Sequence, residues 1–319
     1  MLPLISIHIV TFNSSKEIAD CLKCVLSQSG AFRKRVYILD NASTDETLKT
    51  IEAFSPDEVT VVKSEKNLGY AGGHNYCIRQ VEDTDYILTL NPDVKLQPGY
   101  IQNILELMSK RPTVGMASGL LLRSDEITID SLGIGAKKNR SFYDIYQDKK
   151  LTSLELNVAT NFGPCGAAAV YSRRFVEDLT IQGQFFDEDF FAYKEDVDIA
   201  WRGQLFGWDS IIVPHAKGIH ERGWKKGNRK KINKTVKIHS FKNRYLLMVK
   251  NDFFINILIH LPWLLFYEIM AMTYLLMREP YLIKSWLQFI KLLPKACIKR
   301  KKVMERKKAT AMEIRKWFK

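Results

Sequence analysis

Four short apolar runs, each followed by a stretch with helical spacing, constrain how the N-terminal part of this chain can fold. They occupy residues 4–10, 35–39, 59–63 and 86–90. Each run is rich in β-branched or aromatic residues and opens into a polar loop, as buried strands do. Strands that alternate with helices predict an α/β domain with a doubly wound sheet, in which ligands bind beyond the carboxyl ends of the strands.

Polar side chains stand at the ends of three of these runs. Asp40, Asn67 and Asp93 each follow a different predicted strand. Because the carboxyl ends of parallel strands meet at one edge of a sheet, we expect these residues to converge although they are far apart in sequence. Thr44 or Ser43 is placed to cap the helix that follows the second strand.

A glycine-rich segment follows the third run. Gly69, Gly72 and Gly73 lie just ahead of a predicted helix. Glycine lets a ligand approach the backbone closely, and a helix N-terminus favours an anion, so the segment suits a phosphate group. Its spacing matches neither the GxGxxG fingerprint of dinucleotide-binding folds nor the GxxxxGK[ST] phosphate loop, and it supports neither class.

The fourth run ends in the turn Asn91-Pro92-Asp93. Asn and Asp side chains offer the hard oxygen ligands that Mg²⁺ and Mn²⁺ prefer. An Asn-Pro-Asp turn taken alone is usually only a turn, so a metal site here depends on which other residues reach this loop.

Aromatic and acidic residues are concentrated at 185–208. Glu195, Asp196 and Asp198 lie between aromatic side chains, at the start of a predicted helix that Gly207 ends. A helix N-terminus stabilises a carboxylate, and a carboxylate among aromatic rings is placed to accept a proton from a bound hydroxyl. A helix whose first-turn acids are simply solvated explains the same pattern, so both interpretations stay open.

The net charge of +13 indicates an anionic partner: nucleic acid, a phosphorylated small molecule or an anionic membrane. Residues 225–237 hold seven Lys or Arg and no acid, and they suit either a lid over a ligand or a patch that faces phosphate or membrane. No nucleic acid is expected, because aromatic residues are not interleaved with these basic residues as in a stacking platform. Five scattered cysteines and the lack of a signal-peptide pattern at the N-terminus favour a reducing, cytoplasmic location.

The C-terminal part, residues 241–319, is predicted to be a helical extension to a domain formed by residues 1–240. Residues 253–277 are rich in large apolar side chains, but polar residues and Pro262 interrupt them, so we expect helices that lie in a membrane interface. Residues 295–319 hold eleven Lys or Arg against two Glu, which suits the anionic inner face of a plasma membrane. A helical hairpin packed on the core, with a solvated basic tail, is the alternative.

Six motifs occur in order between residues 4 and 224. They are TFN at 11–13, DNASTD at 40–45, NLGYAGGHN at 67–75, LNPDV at 90–94, GPCGAAAVYSRR at 163–174 and FFAYKEDVDIAWR at 190–202. Together they resemble the inverting family 2 glycosyltransferases of the GT-A fold, in particular the bacterial rhamnosyltransferase-like branch. The resemblance implies a GT-A domain, which is a mixed sheet flanked by helices.

The resemblance also implies a nucleotide-diphosphate sugar as donor. Thr11, Asn13 and Asp40 would hold the pyrimidine base and ribose, and Asn67 with the glycine segment would contact the ribose and diphosphate. The donor-binding set implied in this way is Thr11, Asn13, Asp40, Asn41, Asn67, Gly69, Gly72, Gly73 and Asn91.

Catalytic and metal-binding residues follow from the same resemblance. Asp196 matches the catalytic base, and Glu195 stands beside it as a supporting acid. Asn91 replaces the first acid of the family's DxD motif, which leaves Asp93 as its charged ligand for Mg²⁺ or Mn²⁺. His220 matches a histidine that completes the metal site in relatives, although a surface-loop histidine would explain it as well.

The implied reaction is a single displacement that moves a sugar onto a hydroxyl of a lipid-linked or cell-surface glycan, with dTDP-rhamnose as the first choice of donor. Two alternatives remain. The same fold with a UDP-linked hexose, N-acetylhexosamine or galactofuranose is one, and a non-catalytic membrane scaffold that binds nucleotide sugars is the other. Whether the chain forms a homo-oligomer stays open.

Overall fold

The computed structural model describes residues 1–81, 83–221 and 233–319. The strands are β1 (Leu4–Thr11), β2 (Arg33–Asp40), β3 (Val59–Lys63), β4 (Tyr86–Leu90), β5 (Val94–Leu96), β6 (Val114–Leu122), β7 (Ile129–Ser131), β8 (Ile134–Ala136), β9 (Phe142–Asp144), β10 (Ala159–Thr160), β11 (Ala168–Ser172) and β12 (Asp209–His220). The helices are α1 (Ile18–Leu26), α2 (Thr47–Glu52), α3 (Gly69–Arg79), α4 (Tyr100–Ser109), α5 (Arg173–Leu179), α6 (Glu195–Leu205), α7 (Lys234–Asn251), α8 (Phe254–Ile259), α9 (Leu261–Arg278), α10 (Ile283–Arg306) and α11 (Ala311–Arg315). All four strands predicted from the sequence are present.

A mixed sheet organises the molecule, with strand order β10-β12-β6-β11-β4-β1-β2-β3. The four predicted strands lie side by side and parallel, so their carboxyl ends share one edge. Antiparallel β11 lies between β4 and β6, and β12 runs parallel to β6 on the other side. β12 extends to His220 and pairs this residue with Val94 of β5. The long β12 therefore brings His220 next to the Asn-Pro-Asp turn.

Helices cover both faces of the sheet. The helices α1 and α4 contribute Leu22 and Ile104 to one apolar core. Phe175 of α5 and Trp201 of α6 belong to a second core. Successive strand residues point to opposite faces, so the adjacent β4 residues Ile87 and Leu88 belong to different cores. Each large apolar side chain that is fully buried in this way stabilises the fold by about 1.5–3 kcal/mol relative to an exposed one.

The predicted cap of α2 is wrong. The helix begins at Thr47, and no side chain caps it. Ser43 accepts a hydrogen bond from the backbone N–H of Asn13, and Thr44 donates its backbone N–H to the Asn13 side chain. Both residues are therefore used to join two neighbouring loops, which local helix-capping rules do not anticipate.

The boundary predicted at residue 240 falls inside α7, which is one continuous helix. This helix packs against both α6 and α10, so it belongs to the same packed unit as the sheet. Within the described ranges, no helix combines the length and apolar character needed to cross a bilayer. The helices α8, α9 and α10 still expose large apolar side chains, among them Phe254, Phe266, Met277 and Leu287.

Candidate active site

The loops after β1, β2 and β3, which we call the donor loops (residues 11–13, 40–45 and 67–69), are joined to one another by hydrogen bonds. Thr11 at the end of β1 donates its hydroxyl to Asp40 at the end of β2, at 3.3 Å. Asn13 accepts the Thr44 backbone N–H at 2.8 Å. The structure thus places the predicted pyrimidine and ribose residues together at the carboxyl edge of the sheet.

Asn41 connects the second donor loop to the third. Its side-chain amide donates to Asn67 Oδ1 and to the carbonyl of Gly69, both at 3.1 Å, and its Oδ1 accepts the Leu68 N–H at 2.7 Å. Asn41 is 2 % exposed. Both polar atoms of its side chain are therefore used within the protein, where they hold the second and third donor loops together.

The glycine segment is a helix start rather than a loop, because α3 begins at Gly69 and includes Gly72 and Gly73. Gly69 has φ +71°, and a Cβ there would lie 2.4 Å from the carbonyl oxygen of Phe191. A Cβ on Gly73 would lie 2.6 Å from the Val10 side chain. Close packing against the protein itself is therefore enough to require glycine at both positions.

His220 joins the Asn-Pro-Asp turn to β7. Its Nε2 lies 3.4 Å from Asp93 Oδ1, and its Nδ1 lies 2.8 Å from Asp130 Oδ2. Burial opposes a charged imidazole, but the hydrogen bonds with Asp130 and Asp93 outweigh it and raise the pKa of His220 to about 9. Asp130, which is fully buried, was not found from the sequence. An acidic residue in a short strand carries no signal that another strand will bring a histidine to it.

Asp93 and His220 fit a divalent cation only as part of a shared site. The described ranges contain no group of three or more His, Cys, Asp or Glu that could hold a metal on its own. Two adjacent ligands at about 2.1 Å from an octahedral ion lie roughly 3 Å apart, which is close to the observed separation of the two side chains. Mg²⁺ sites usually combine one or two protein ligands with substrate phosphates and water, and this pair matches that pattern.

Asp196 lies in the first turn of α6, partly buried. Its Oδ1 accepts the Val197 N–H at 2.8 Å, and its Oδ2 accepts the Gly166 N–H at 3.2 Å. Burial raises the pKa of Asp196, although both backbone hydrogen bonds act in the opposite direction. Two backbone donors thus orient the carboxylate, and its basicity is increased.

Glu195 and Asp198 have environments that differ from that of Asp196. Glu195 is 6 % exposed, and within the described chain its Oε2 has no hydrogen-bond partner. Burial and the neighbouring Asp196 charge hold the pKa of Glu195 well above its usual range, so the protonated form is favoured. Asp198 is fully buried and forms ion pairs with Arg202 at 2.9 Å and Lys250 at 2.7 Å. Asp198 therefore has a structural role.

A turn at residues 165–168, which we call the Gly166 turn, connects the two ends of the site. The Gly166 N–H binds Asp196, while the carbonyl of Ala167 accepts the Asn91 N–H at 2.9 Å. Tyr70 of α3 donates its hydroxyl to the Gly166 carbonyl at 2.7 Å. Asp196 and the turn that carries Asp93 consequently lie at the same edge of the sheet.

Residues 187–195 lead into Asp196, the predicted base, and for that reason we call them the catalytic loop. They are held in an unusual backbone conformation. Phe191, Tyr193 and Lys194 have φ values of +64°, +69° and +69°. Positive φ in bulky residues costs roughly 1–3 kcal/mol each and persists only where surrounding contacts enforce it. Asn243 of α7 supplies such contacts, since its side-chain nitrogen lies within 3.0 Å of the carbonyl oxygens of Phe190, Ala192 and Tyr193. Sequence reasoning missed Asn243.

The basic run predicted at 225–237 falls largely on residues 222–232, outside the described residues. Of its members that the structure describes, Lys237 forms an ion pair with Glu279 at 2.8 Å. The interpretation of the run as a lid therefore stays a prediction.

The fold, with its polar loops at the carboxyl edge of the sheet, defines a glycosyltransferase of the GT-A type. The chain belongs to glycosyl transferase family 2, whose model matches residues 6–180. Asp196 and His220 lie beyond the matched range. Among curated relatives, N-acetylglucosaminyl-diphospho-decaprenol L-rhamnosyltransferase of Mycobacterium tuberculosis (strain ATCC 25618 / H37Rv) is 29% identical over 219 residues, which is 60% of this chain and 68% of the relative.

Solved structures share the fold at low sequence identity. GalNAc-T7 with UDP, GalNAc and Mn²⁺ has a TM-score of 0.61 and 13% identity and covers 78% of this chain, which spans about half (49%) of that protein. The mannosyltransferase PcManGT from Pyrobaculum calidifontis, in complex with GDP-Man and Mn²⁺, has a TM-score of 0.54 and 16% identity, and covers 98% of this chain and 78% of its own. S. aureus TarS 1–349 with UDP-GlcNAc has a TM-score of 0.56 and 13% identity, over 95% and 83% of the two chains.

Proposed function

We propose that this protein transfers a sugar, with inversion, from a nucleotide-diphosphate donor to a hydroxyl of a glycan acceptor, and that Asp196 is the general base. The carrying observation is the Gly166 turn, which binds Asp196 on one side and the Asn91 backbone on the other. The proposed proton acceptor and the turn that carries Asp93 therefore lie at the same edge of the sheet, which supports a single displacement.

Asp196 takes the proton from the acceptor hydroxyl as that oxygen attacks the anomeric carbon. The two backbone N–H groups fix the carboxylate, and its raised pKa makes it a better base near neutral pH. The raised pKa of Glu195 disfavours a second negative charge beside Asp196.

The donor loops receive the nucleotide, with Thr11, Asn13 and Asp40 towards the base and ribose. Asp93 and, in its neutral form, His220 would hold Mg²⁺ or Mn²⁺, and Asp130 would fix the histidine ring. When bound, the ion offsets the charge that develops on the leaving diphosphate. Structural neighbours crystallised with Mn²⁺ support this assignment.

We propose dTDP-rhamnose as donor and a lipid-linked glycan as acceptor, on the strength of the rhamnosyltransferase relative. A UDP-linked sugar is the second candidate, because two structural neighbours are complexes with UDP or UDP-GlcNAc. The protein would act at the inner face of the plasma membrane, where the exposed apolar side chains of α8 to α10 meet lipid.

The decisive experiment measures turnover and donor affinity across a panel of nucleotide sugars for the wild type and Asp196→Asn. We expect dTDP-rhamnose to be the preferred donor, and the variant to lose about 10²–10⁴-fold in kcat while its donor Kd changes little. Asp57→Asn, an exposed acid outside the site, is the matched control. Preference for a UDP-sugar would select the second donor, and a wild type that binds donors without turnover would leave a non-catalytic scaffold.

A further inference from the structure

A polar pocket, which we call the basic pocket, lies away from the donor loops and the Asp93–His220 pair. It has a volume of about 400 Å³ and is bounded by the loop after β8, the junction of α8 and α9, and α11. Its polar lining consists of Lys138, His260, Trp263, Arg315 and Lys316. No donor-loop, metal or base residue contributes to it.

Buried contacts beneath the basic pocket fix the tautomer of His260 and keep its ring neutral. Arg140 is fully buried, donates its Nε–H to Asp252 at 2.7 Å and places Nη1 2.7 Å from His260 Nδ1. Because a guanidinium only donates, Nδ1 accepts and the neutral ring carries its proton on Nε2. His260 is 4 % exposed, and burial followed by the charges of Arg140, Lys138 and Arg315 lowers the pKa of His260 to about 4.

The lining offers hydrogen-bond donors and positive charge. Lys138 places its ammonium 4.8 Å from the centre of the Trp263 ring, which holds this charge at the pocket. Arg315 and Lys316 add two more charges, and none of the residues that line the pocket is acidic. Three cations with an N–H donor and without a carboxylate suit a phosphate-type anion.

Apolar side chains form the rest of the surroundings. Ile259 and Met312 line the basic pocket beside the charged groups. Ile255, Leu258 and Phe266, from α8 and α9, are 49 %, 47 % and 70 % exposed. A free anion or a nucleic acid would leave this apolar surface in water, whereas a phospholipid would place its acyl chains there. Trp263 is at the boundary between the two regions, where an aromatic ring at headgroup level is expected.

We propose that the basic pocket binds the headgroup phosphate of an anionic phospholipid. The lipid phosphate is bound by Lys138, Arg315, Lys316 and the His260 Nε2–H, and the acyl chains lie over α8 and α9. This inference rests on the proposed location at the membrane surface, and it adds a discrete lipid site to what would otherwise be general electrostatic attraction.

The test uses a short-chain lipid below its micelle concentration, so that no charged surface is present. Dihexanoyl phosphatidylglycerol, dihexanoyl phosphatidylcholine and inorganic phosphate are titrated into the full chain by calorimetry. We expect saturable one-site binding of the phosphatidylglycerol, about tenfold or more tighter than of either other probe. Inorganic phosphate that binds as tightly would overturn the lipid assignment.

Two triple variants separate a pocket from diffuse charge. Lys138→Gln/Arg315→Gln/Lys316→Gln removes the pocket's cations, and Lys291→Gln/Lys301→Gln/Lys302→Gln removes the same charge from exposed positions of α10. We expect the first to weaken the short-chain lipid about tenfold or more and the second by about twofold at most. Equal losses in both variants would refute the pocket. Circular dichroism and donor turnover confirm that both triples fold.

Binding to vesicles of phosphatidylcholine, with and without phosphatidylglycerol, tests the membrane proposal independently. A wild type that binds the short-chain lipid but no vesicles would refute the membrane location and support the pocket. If the wild type and the pocket triple bind anionic vesicles equally tightly, the membrane location is supported and the lipid site in the basic pocket is refuted.

Discussion

The donor loops and the catalytic loop lie at the same edge of the sheet but are held in different ways. The donor loops bind one another at the ends of adjacent parallel strands, through contacts such as Thr11 to Asp40 and Asn41 to Asn67. Bulky residues of the catalytic loop have positive φ, and the loop is held by side chains that arrive from α7 and α10, at least fifty residues later in the chain. The sheet therefore builds the donor half, which is proposed to bind the nucleotide, while the catalytic half, which is proposed to supply the base, also needs the C-terminal helices.

Buried charge is the strongest part of that dependence. Lys250 of α7 binds Asp187 at 2.6 Å and Asp198 at 2.7 Å, and Lys299 of α10 binds Asp187 at 2.5 Å. The nearby cations outweigh burial and lower the pKa of both Asp187 and Asp198. Because these folded-state pKa values lie below the usual ones, the carboxylates contribute stability above about pH 4, and this is lost as the pH falls. The ion pairs that hold the catalytic loop should thus weaken in acid.

The largest effect is expected for Lys250→Met, which leaves two buried carboxylates with fewer partners. Removing one member of a buried ion pair costs about 3–5 kcal/mol, so the free energy of unfolding should fall by that amount in urea denaturation. Lys284→Met, at an exposed position of α10, is the matched control. A loss below about 1 kcal/mol would show that the network does not hold the catalytic half.

Asn243→Ala should separate the two halves kinetically. Without the side chain that binds three carbonyl groups, the catalytic loop can relax and displace Asp196, and misplacement by about 1 Å costs roughly 10²-fold in rate. We expect kcat to fall about that far while the donor Kd stays within about threefold. Asn103→Ala is the matched control, because it removes a side-chain amide on α4 that donates to the carbonyl of His215. It should leave kcat and the donor Kd unchanged. A rise in donor Kd with normal kcat would contradict the division.

Most of the donor half could be predicted from sequence because its parts are local to strand ends. Asp40, Asn67 and Asp93 follow strands that can be recognised from their apolar runs. Parallel pairing of these strands then brings their carboxyl ends to one edge of the sheet. The catalytic half could be predicted only in part. Nothing near Asn243 or Lys250 indicates which loop each residue will reach, since those contacts depend on how α7 packs. The resemblance predicts Asp196 as the base, and this stays a prediction. That Asp198 instead forms buried ion pairs could be learned only from the structure.

The contact between Asp130 and His220 belongs to neither half, and a variant of Asp130 tests it. Asp130→Asn keeps the shape of the side chain but removes the charge that orients His220 and raises its basicity. Loss of such an outer partner costs about 10–100-fold in metal affinity, so half-maximal turnover should need that much more Mn²⁺. Asp57→Asn is again the control. An unchanged Mn²⁺ requirement would remove His220 from the metal site.

The smallest effect is expected in the donor half, for Ser43→Ala. Ser43 Oγ accepts the Asn13 N–H at 3.0 Å in an exposed position, where water can replace the lost acceptor. A hydrogen bond of this kind contributes about 0.5–1.5 kcal/mol, and the low end applies here, so the KM for the donor should rise about two- to threefold with kcat unchanged. Ser109→Ala, on the surface of α4, provides the matched control. A defect confined to donor binding raises the donor concentration needed for half-maximal rate but leaves the rate at saturation unchanged. A fall in kcat at unchanged KM would therefore mean that the donor loops also set the catalytic geometry.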